Sequence, residues 1–162
     1  MIQLLRTNSD NDDFKEFVGY LDAELAYIDG EEHSFYAQFN TIDAIRYTVV
    51  AYNNGQPVGC GALKEYAPGT MEVKRMYTAP QARGMGVATA ILKELEHWAQ
   101  EMSYEKCVVE TGKRQPLAIA LYKTNGYLAI ANYGQYANVE NSVCFEKELK
   151  IKIRIERGST RI

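Results

Sequence analysis

Cysteine is scarce and poorly placed for pairing. The 162-residue chain has three, Cys60, Cys107 and Cys144, far apart and with no Cys-x-x-Cys pair. An odd count without that spacing argues against a disulfide framework, and no histidine stands at zinc-ligand spacing, so no metal is expected. The three thiols read as reduced core residues. Long apolar runs are also missing. The longest are a few residues, against roughly 20 needed to cross a bilayer, and the Met-Ile-Gln-Leu-Leu-Arg start lacks a signal-peptide layout. These absences predict a cytoplasmic protein with no membrane partner. Nor does positive charge dominate. Lys and Arg total 18 against 21 Asp and Glu, for a formal charge of -3, so nucleic acid is not an expected partner. The sequence carries no internal repeat and no linker.

What is present suits one folded domain. The chain is 46% hydrophobic and 24% charged, with 12 Tyr as the one excess, and a domain of this size buries roughly two-thirds of its unfolded surface. Residues 2–6 read as a strand. Asp10, Asn11, Asp12 and Asp13 offer helix caps, and Phe14, Phe17, Val18, Leu21, Leu25 and Ile28 continue at helical spacing to Gly30. Residues 31–40 are ambiguous between a loop and a second short helix. Residues 46–52 and 58–66 flank Asn53-Asn54-Gly55-Gln56-Pro57 as an antiparallel hairpin. A third strand over 71–78 would put Glu72, Lys74, Met76 and Thr78 on one side. Over 84–102, Val87, Ile91, Leu92, Leu95, Trp98, Ala99 and Met102 predict an amphipathic helix, with Lys93, Glu94, Glu96, His97 and Gln100 on its polar face. A strand at 105–110 and a helix from Pro116 to Lys123, stopped at Asn125-Gly126, follow. Two strand-helix alternations imply one parallel pair in an otherwise antiparallel sheet, closed by strands at 127–130 and 142–149. Residues 1–149 are read as the single domain and 150–162 as a strand extension or tail.

The segment from Tyr77 to Ala88 joins a strand to the amphipathic helix through a loop bearing Gly84 and Gly86. Backbone N–H groups at a helix start have no partners within the helix, and their dipoles favour an anion such as a pyrophosphate. The glycines let the backbone approach closely, and Arg83 adds a cation. An ordinary turn is the plainer reading of a lone Gly-x-Gly. A dinucleotide site fits badly, because Thr89 stands where the third small residue belongs and Pro80 and Gln81 intervene after the strand.

Gln81-x-x-Gly84-x-Gly86 resembles the acetyl-CoA signature of the GNAT superfamily, Gln/Arg-x-x-Gly-x-Gly/Ala. Other segments occur in that superfamily's order: Val58-Gly59-Cys60-Gly61-Ala62-Leu63 before it, then Val109-Glu110-Thr111-Gly112 and the run Ala118-Ile119-Ala120-Leu121-Tyr122-Lys123-Thr124-Asn125-Gly126-Tyr127 after it. The similarity covers about residues 45–149. It implies a mixed, mostly antiparallel α/β sheet with a splayed central parallel pair, flanked by about four helices. It further implies that Met76, Tyr77 and Thr78 pair with the pantetheine arm, and that Arg83, Gly84, Met85, Gly86, Val87 and Ala88 carry the pyrophosphate. Ala118 would leave space for the arm. Gln115 departs from the family pattern, which often has Asn there, although its amide offers the same groups. The implied activity is N-acetylation of a primary amine, on a small molecule, a peptide or a protein, from acetyl-CoA by direct attack in a ternary complex. A non-catalytic acyl-CoA sensor or regulatory module is the alternative.

Amine acetylation requires a proton acceptor, since an alkyl ammonium has a pKa of about 10.4, and a proton donor for the departing thiolate. Glu72 resembles the position of the base in some members, with a solvated strand carboxylate as the plainer reading. Glu110 is the other candidate, or a residue that fixes the loop. Tyr122 matches the family's proton donor, or is a packing aromatic. Around the N-terminal helices, Asp22, Glu24, Asp29, Glu31 and Glu32 cluster near His33, Phe35, Tyr36 and Phe39, and would suit a cationic acceptor or form a solvated acidic face. Glu24, Tyr36, Glu110 and Tyr136 are the residues expected to line the acceptor pocket, with Tyr133 beside them. The sequence leaves open whether the chain pairs as a homodimer.

Overall fold

A computed structural model describes residues 1–38 and 45–149. The sequence places its helix signals and strand signals alternately, and the structure follows them. The strands are β1 (Ile2–Thr7), β2 (Tyr47–Asn53), β3 (Gln56–Ala67), β4 (Thr70–Thr78), β5 (Lys106–Gly112), β6 (Leu128–Ile130) and β7 (Ser142–Glu148). They form one sheet in the order β1-β2-β3-β4-β5-β7-β6. Among the described strands only β4 and β5 pair in parallel, and the long crossover such a pair needs carries a helix. This is the mixed α/β architecture expected. The extension proposed for residues 150–162, and Phe39, lie outside the described residues.

Among the described residues four helices flank the sheet: α1 (Asp12–Asp29), α2 (His33–Ala37), α3 (Val87–Glu101) and α4 (Pro116–Thr124). Asn11 caps α1 by accepting from the Phe14 amide at 2.9 Å, and Asp12 and Asp13 sit at its positive end. Its buried stripe, Phe14, Phe17, Val18 and Leu21, packs on Val50, Cys60, Ala62 and Tyr77. On the opposite sheet face, Val87, Ile91, Leu92, Leu95 and Ala99 of α3 cover Val49, Leu63, Met71 and Val73, and Tyr122 of α4 joins them. Burying each such side chain contributes about 1.5–3 kcal/mol. Where the sequence is ambiguous after residue 30, the described residues form a 3-10 turn, Gly30–Glu32, leading into α2, whose Tyr36 is buried against Tyr136; residues 39–40 lie outside them.

Three expectations need correction. The helix predicted from residue 84 starts at Val87, because Gly84 and Gly86 both adopt φ +82° and remain in the loop. Glu96 is not on a polar face. It is buried, accepting from the Tyr127 hydroxyl at 2.9 Å and from Lys147 at 2.9 Å. And β4 does not keep Glu72, Lys74, Met76 and Thr78 on one side. Cys60 stands opposite Tyr77 and Ala62 opposite Lys74, so β4 carries one extra residue there, and Arg75 takes φ +59°. This is a β-bulge. Beyond it Met76 joins Val73 in packing on the α3 side, while Tyr77 turns under α1.

Candidate active site

The parallel ladder between β4 and β5 is short. It runs from Thr70 opposite Lys106 to Glu72 opposite Val108. Beyond that point the strands separate, and a cleft of about 790 Å³ opens between them. Its walls come from β4 and β5, the loop before α3, the start of α4, and the inner sides of α1 and α2.

One end suits an anion. Gly86 caps α3 with no side-chain hydrogen bond, so the first N–H groups of a helix of about four turns are left to face the cleft that Gly86, Val87 and Ala88 line. A Cβ built at Gly84 or Gly86 meets nothing within 4 Å. The loop therefore keeps open space beside the exposed amides, and only the positive φ forbids a larger residue. Arg83 lies across this end. Its Nε donates to the Thr78 carbonyl at 2.9 Å, its Nη2 to Glu24 at 3.0 Å, and its guanidinium sits 5.7 Å over the Tyr77 ring. Gln115 precedes α4 without capping it, so its amide is available to the cleft it lines. These features fit the pyrophosphate and amide arm of a coenzyme A thioester: open glycine amides, a cation, and an unladdered strand edge.

The other end is a closed arrangement of carboxylates and phenols. Glu72 is buried. It accepts from the Tyr133 hydroxyl at 2.7 Å and lies 3.8 Å from the buried Lys74 Nζ. Burial lowers the Lys74 pKa, partly offset by Glu72. Glu110, at the far end of β5, accepts from the Ser142 hydroxyl at 2.8 Å. Burial pushes its carboxyl up to about 7, against the opposing hydrogen bond from Ser142, with Glu72 adding to the rise. Ser142 also meets the Tyr36 hydroxyl at 3.1 Å, and Asn141 Nδ2 donates to that hydroxyl at 3.3 Å. Tyr122 is buried on α4 between Tyr127 and Phe145. Burial raises its pKa further above the phenol range, so it keeps its proton.

The cleft brings together Glu72, Met76, Tyr77, Thr78, Arg83, Gly84, Gly86, Val87, Ala88, Gln115, Ala118 and Tyr122, along with Glu24, Tyr36, Glu110 and Tyr136. Met85 is the exception: its side chain is 53% exposed and outside the lining. Val87 is buried in the core, which leaves its backbone to face the cleft.

The acidic residues of the N-terminal helices are not a free solvated face. Asp22 pairs with Arg75, Glu24 with Arg83 and Glu32 with Arg114, while Asp29 is buried. Arg114 also donates to the Ile28 and Asp29 carbonyls. Sequence reasoning missed Lys74, Arg75, Arg114, Asn141 and Ser142. The available signal was Asn141 and Ser142 standing directly before the apolar run Val143-Cys144-Phe145.

Among the described residues, no helix is long and apolar enough to cross a membrane. A model of the acetyltransferase (GNAT) family matches residues 11–127. An IAA acetyltransferase of Azospirillum brasilense is 35% identical over 102 residues, 62% of this chain and 67% of that protein. The chain spans from about a third to about two thirds of the length of the curated relatives it matches. A solved Klebsiella pneumoniae structure, provisionally named an acyl-CoA N-acyltransferase, is 28% identical with a TM-score of 0.78, covering 93% of this chain and 99% of that one. The PaiA N-acetyltransferase of Thermoplasma acidophilum, solved in complex with coenzyme A, is similar in fold, with a TM-score of 0.67 at 15% identity over 91% of this chain and 99% of that one.

Proposed function

Because this chain belongs to the acetyltransferase (GNAT) family, we propose that it transfers acetyl from acetyl-CoA to a primary amine, by direct attack within a ternary complex. One observation carries the reading. The cleft that opens past Glu72 has at one end a loop whose geometry suits an anion, with Glu110 and Tyr122 among the residues lining it. When bound, acetyl-CoA supplies a thioester carbonyl as the electrophile.

The chain's own residues then divide the work. Amides of the loop after Arg83 hold the phosphates, and β4 beyond the bulge offers backbone groups to the amide arm. Glu110 accepts the proton that an alkyl ammonium must lose, a role favoured by its position in the cleft and a carboxyl pKa raised to about 7. Glu72, tied to Tyr133 and Lys74, is the second carboxylate, whose charge raises the affinity of its neighbour for a proton. Tyr122 keeps a proton on its phenolic oxygen, where a departing thiolate can take it.

Thiol release from acetyl-CoA, measured across a panel of primary amines, tests the reading. Amine-dependent release is expected. Tight binding of acetyl-CoA with no release for any amine would replace the enzyme by a sensor of acyl-CoA. Comparing Glu110→Gln with Glu72→Gln separates the two carboxylates: the base is the one whose loss lowers turnover roughly 10²- to 10⁴-fold.

A further inference from the structure

Glu110 is the end of a hydrogen-bonded chain that crosses three elements. Its Oε2 takes a bond from Ser142 Oγ at 2.8 Å, Ser142 lies 3.1 Å from the Tyr36 hydroxyl, and Tyr36 takes a bond from Asn141 Nδ2 at 3.3 Å. The direction of each bond follows from counting protons. A hydroxyl has one hydrogen to donate. Ser142 spends its hydrogen on the carboxylate, so it must accept from Tyr36, and Tyr36 in turn accepts from the amide. Every donor points toward Glu110.

Reversing the chain leaves one hydrogen unpaired. If Glu110 carried a proton and donated to Ser142, Ser142 would donate to Tyr36. The Asn141 amide nitrogen has no lone pair to accept with, so the Tyr36 hydrogen would be left without its place in the chain. Asn141, Ser142, Tyr36 and Tyr136 are all buried, and a lost hydrogen bond in such a setting is costly. The amide thus points every hydrogen bond of the chain toward Glu110, and a donor so directed binds a carboxylate more strongly than a neutral carboxyl.

We propose that Ser142 and Tyr36, anchored by Asn141, are positioning residues that favour the carboxylate form of Glu110 against the burial that opposes it, and so couple the docking of α2 to proton acceptance. The kinetic part of this proposal rests on the reading of Glu110 as the base. Other groups act on the same carboxyl. Glu72 of β4 and Asp29 of α1 raise its pKa, and Lys74 of β4 lowers it. Tyr122 of α4, Tyr136 before β7 and Cys144 of β7 feel its charge. Among the described residues, Ser142 donates directly to it, and Tyr36 of α2 stands behind Ser142.

The test is a carbon-detected NMR titration of the Glu110 carboxyl in the wild type, Ser142→Ala, Ser142→Thr and Tyr36→Phe, alongside pH profiles of kcat/KM. Ser142→Ala should raise the Glu110 pKa by about one pH unit, as loss of a hydrogen bond to a charged group implies. Tyr36→Phe should raise it less, and Ser142→Thr should restore it. The acid limb of kcat/KM should move with it. A purely structural role would lower stability or kcat without moving that limb. An unmoved Glu110 titration in both Ser142→Ala and Tyr36→Phe overturns the proposal, and if Ser142→Ala does not fold, an unmoved titration in Tyr36→Phe does so alone. The base reading fails separately. In that case Glu110→Gln keeps the acid limb, and the carboxyl shifts in the titration without a matching shift in the kinetics.

Discussion

Glu110→Gln is expected to make the protein more stable at alkaline pH and less active at the same time. The fold holds the Glu110 carboxyl at about 7, against 4.5 for an ordinary Glu. A raised carboxylate pKa means that the folded state prefers the neutral form. The stability this confers is fully present below about pH 4.5 and is lost as pH rises through about 7. At about 1.4 kcal/mol per pH unit, the whole loss has a ceiling of about 3 kcal/mol. Glu110 keeps some solvent access, which brings the working expectation to about 1–2 kcal/mol. Gln has no charge to bury, and its carbonyl still accepts from Ser142. The variant should therefore match the wild type near pH 4.5 and exceed it at pH 8.5, with a Tm difference of a few degrees. Thermal and urea unfolding of both proteins at the two pH values measure this. Equal stability at pH 8.5, or a Gln variant weaker at both, would refute the claim that burial of a charge dominates at this position.

Three further outcomes follow from the geometry. Gly86→Asp should weaken coenzyme A binding in calorimetry on the folded protein, because it puts a charged side chain beside the loop amides at φ +82°; unchanged affinity would remove the loop from the site. Tyr122→Phe should lower the single-turnover rate roughly 10- to 10³-fold with little change in acetyl-CoA Kd, and a wild-type rate would make Tyr122 a packing residue. Glu96→Leu should cost about 1–3 kcal/mol in urea unfolding, chiefly because the buried Tyr127 hydroxyl loses its acceptor, while Glu96→Gln should recover much of it.

The loop and the amphipathic helix were legible because each is local: glycines, caps and helical spacing act within a few residues, whereas Tyr122 was placed by the resemblance of its segment to the family. Glu96 was misjudged for a physical reason. Its place in the polar stripe says nothing of Lys147 and Tyr127, which reach it from 51 and 31 positions away. The Tyr36–Ser142 contact spans 106 positions, and only the assembled sheet brings it about. The arginines that clasp the acids of α1 and the segment after it were invisible for the same reason. The bulge at Arg75 was hidden differently, since Glu72, Lys74, Met76 and Thr78 alternate without a break and nothing in their order marks the extra residue.

That extra residue gives β4 a parity. Before it, odd-numbered Met71 and Val73 lie under α3; after it, even-numbered Met76 takes that side and odd-numbered Tyr77 takes the other. Opposite them, Gly61 approaches so closely that an added Cβ would stand 2.5 Å from the Met76 sulfur, and Gly59 one that would stand 2.8 Å from the Tyr77 carbonyl. Removing one residue between Lys74 and Met76 would act on the packing as a frameshift acts on a message. Every later side chain of the strand would change sides, and Tyr77 would leave its place beneath Phe17, where the rings stand 5.5 Å apart. The length of β4 is thereby a constraint separate from its composition: this strand can drift by substitution far more freely than by a single insertion or deletion.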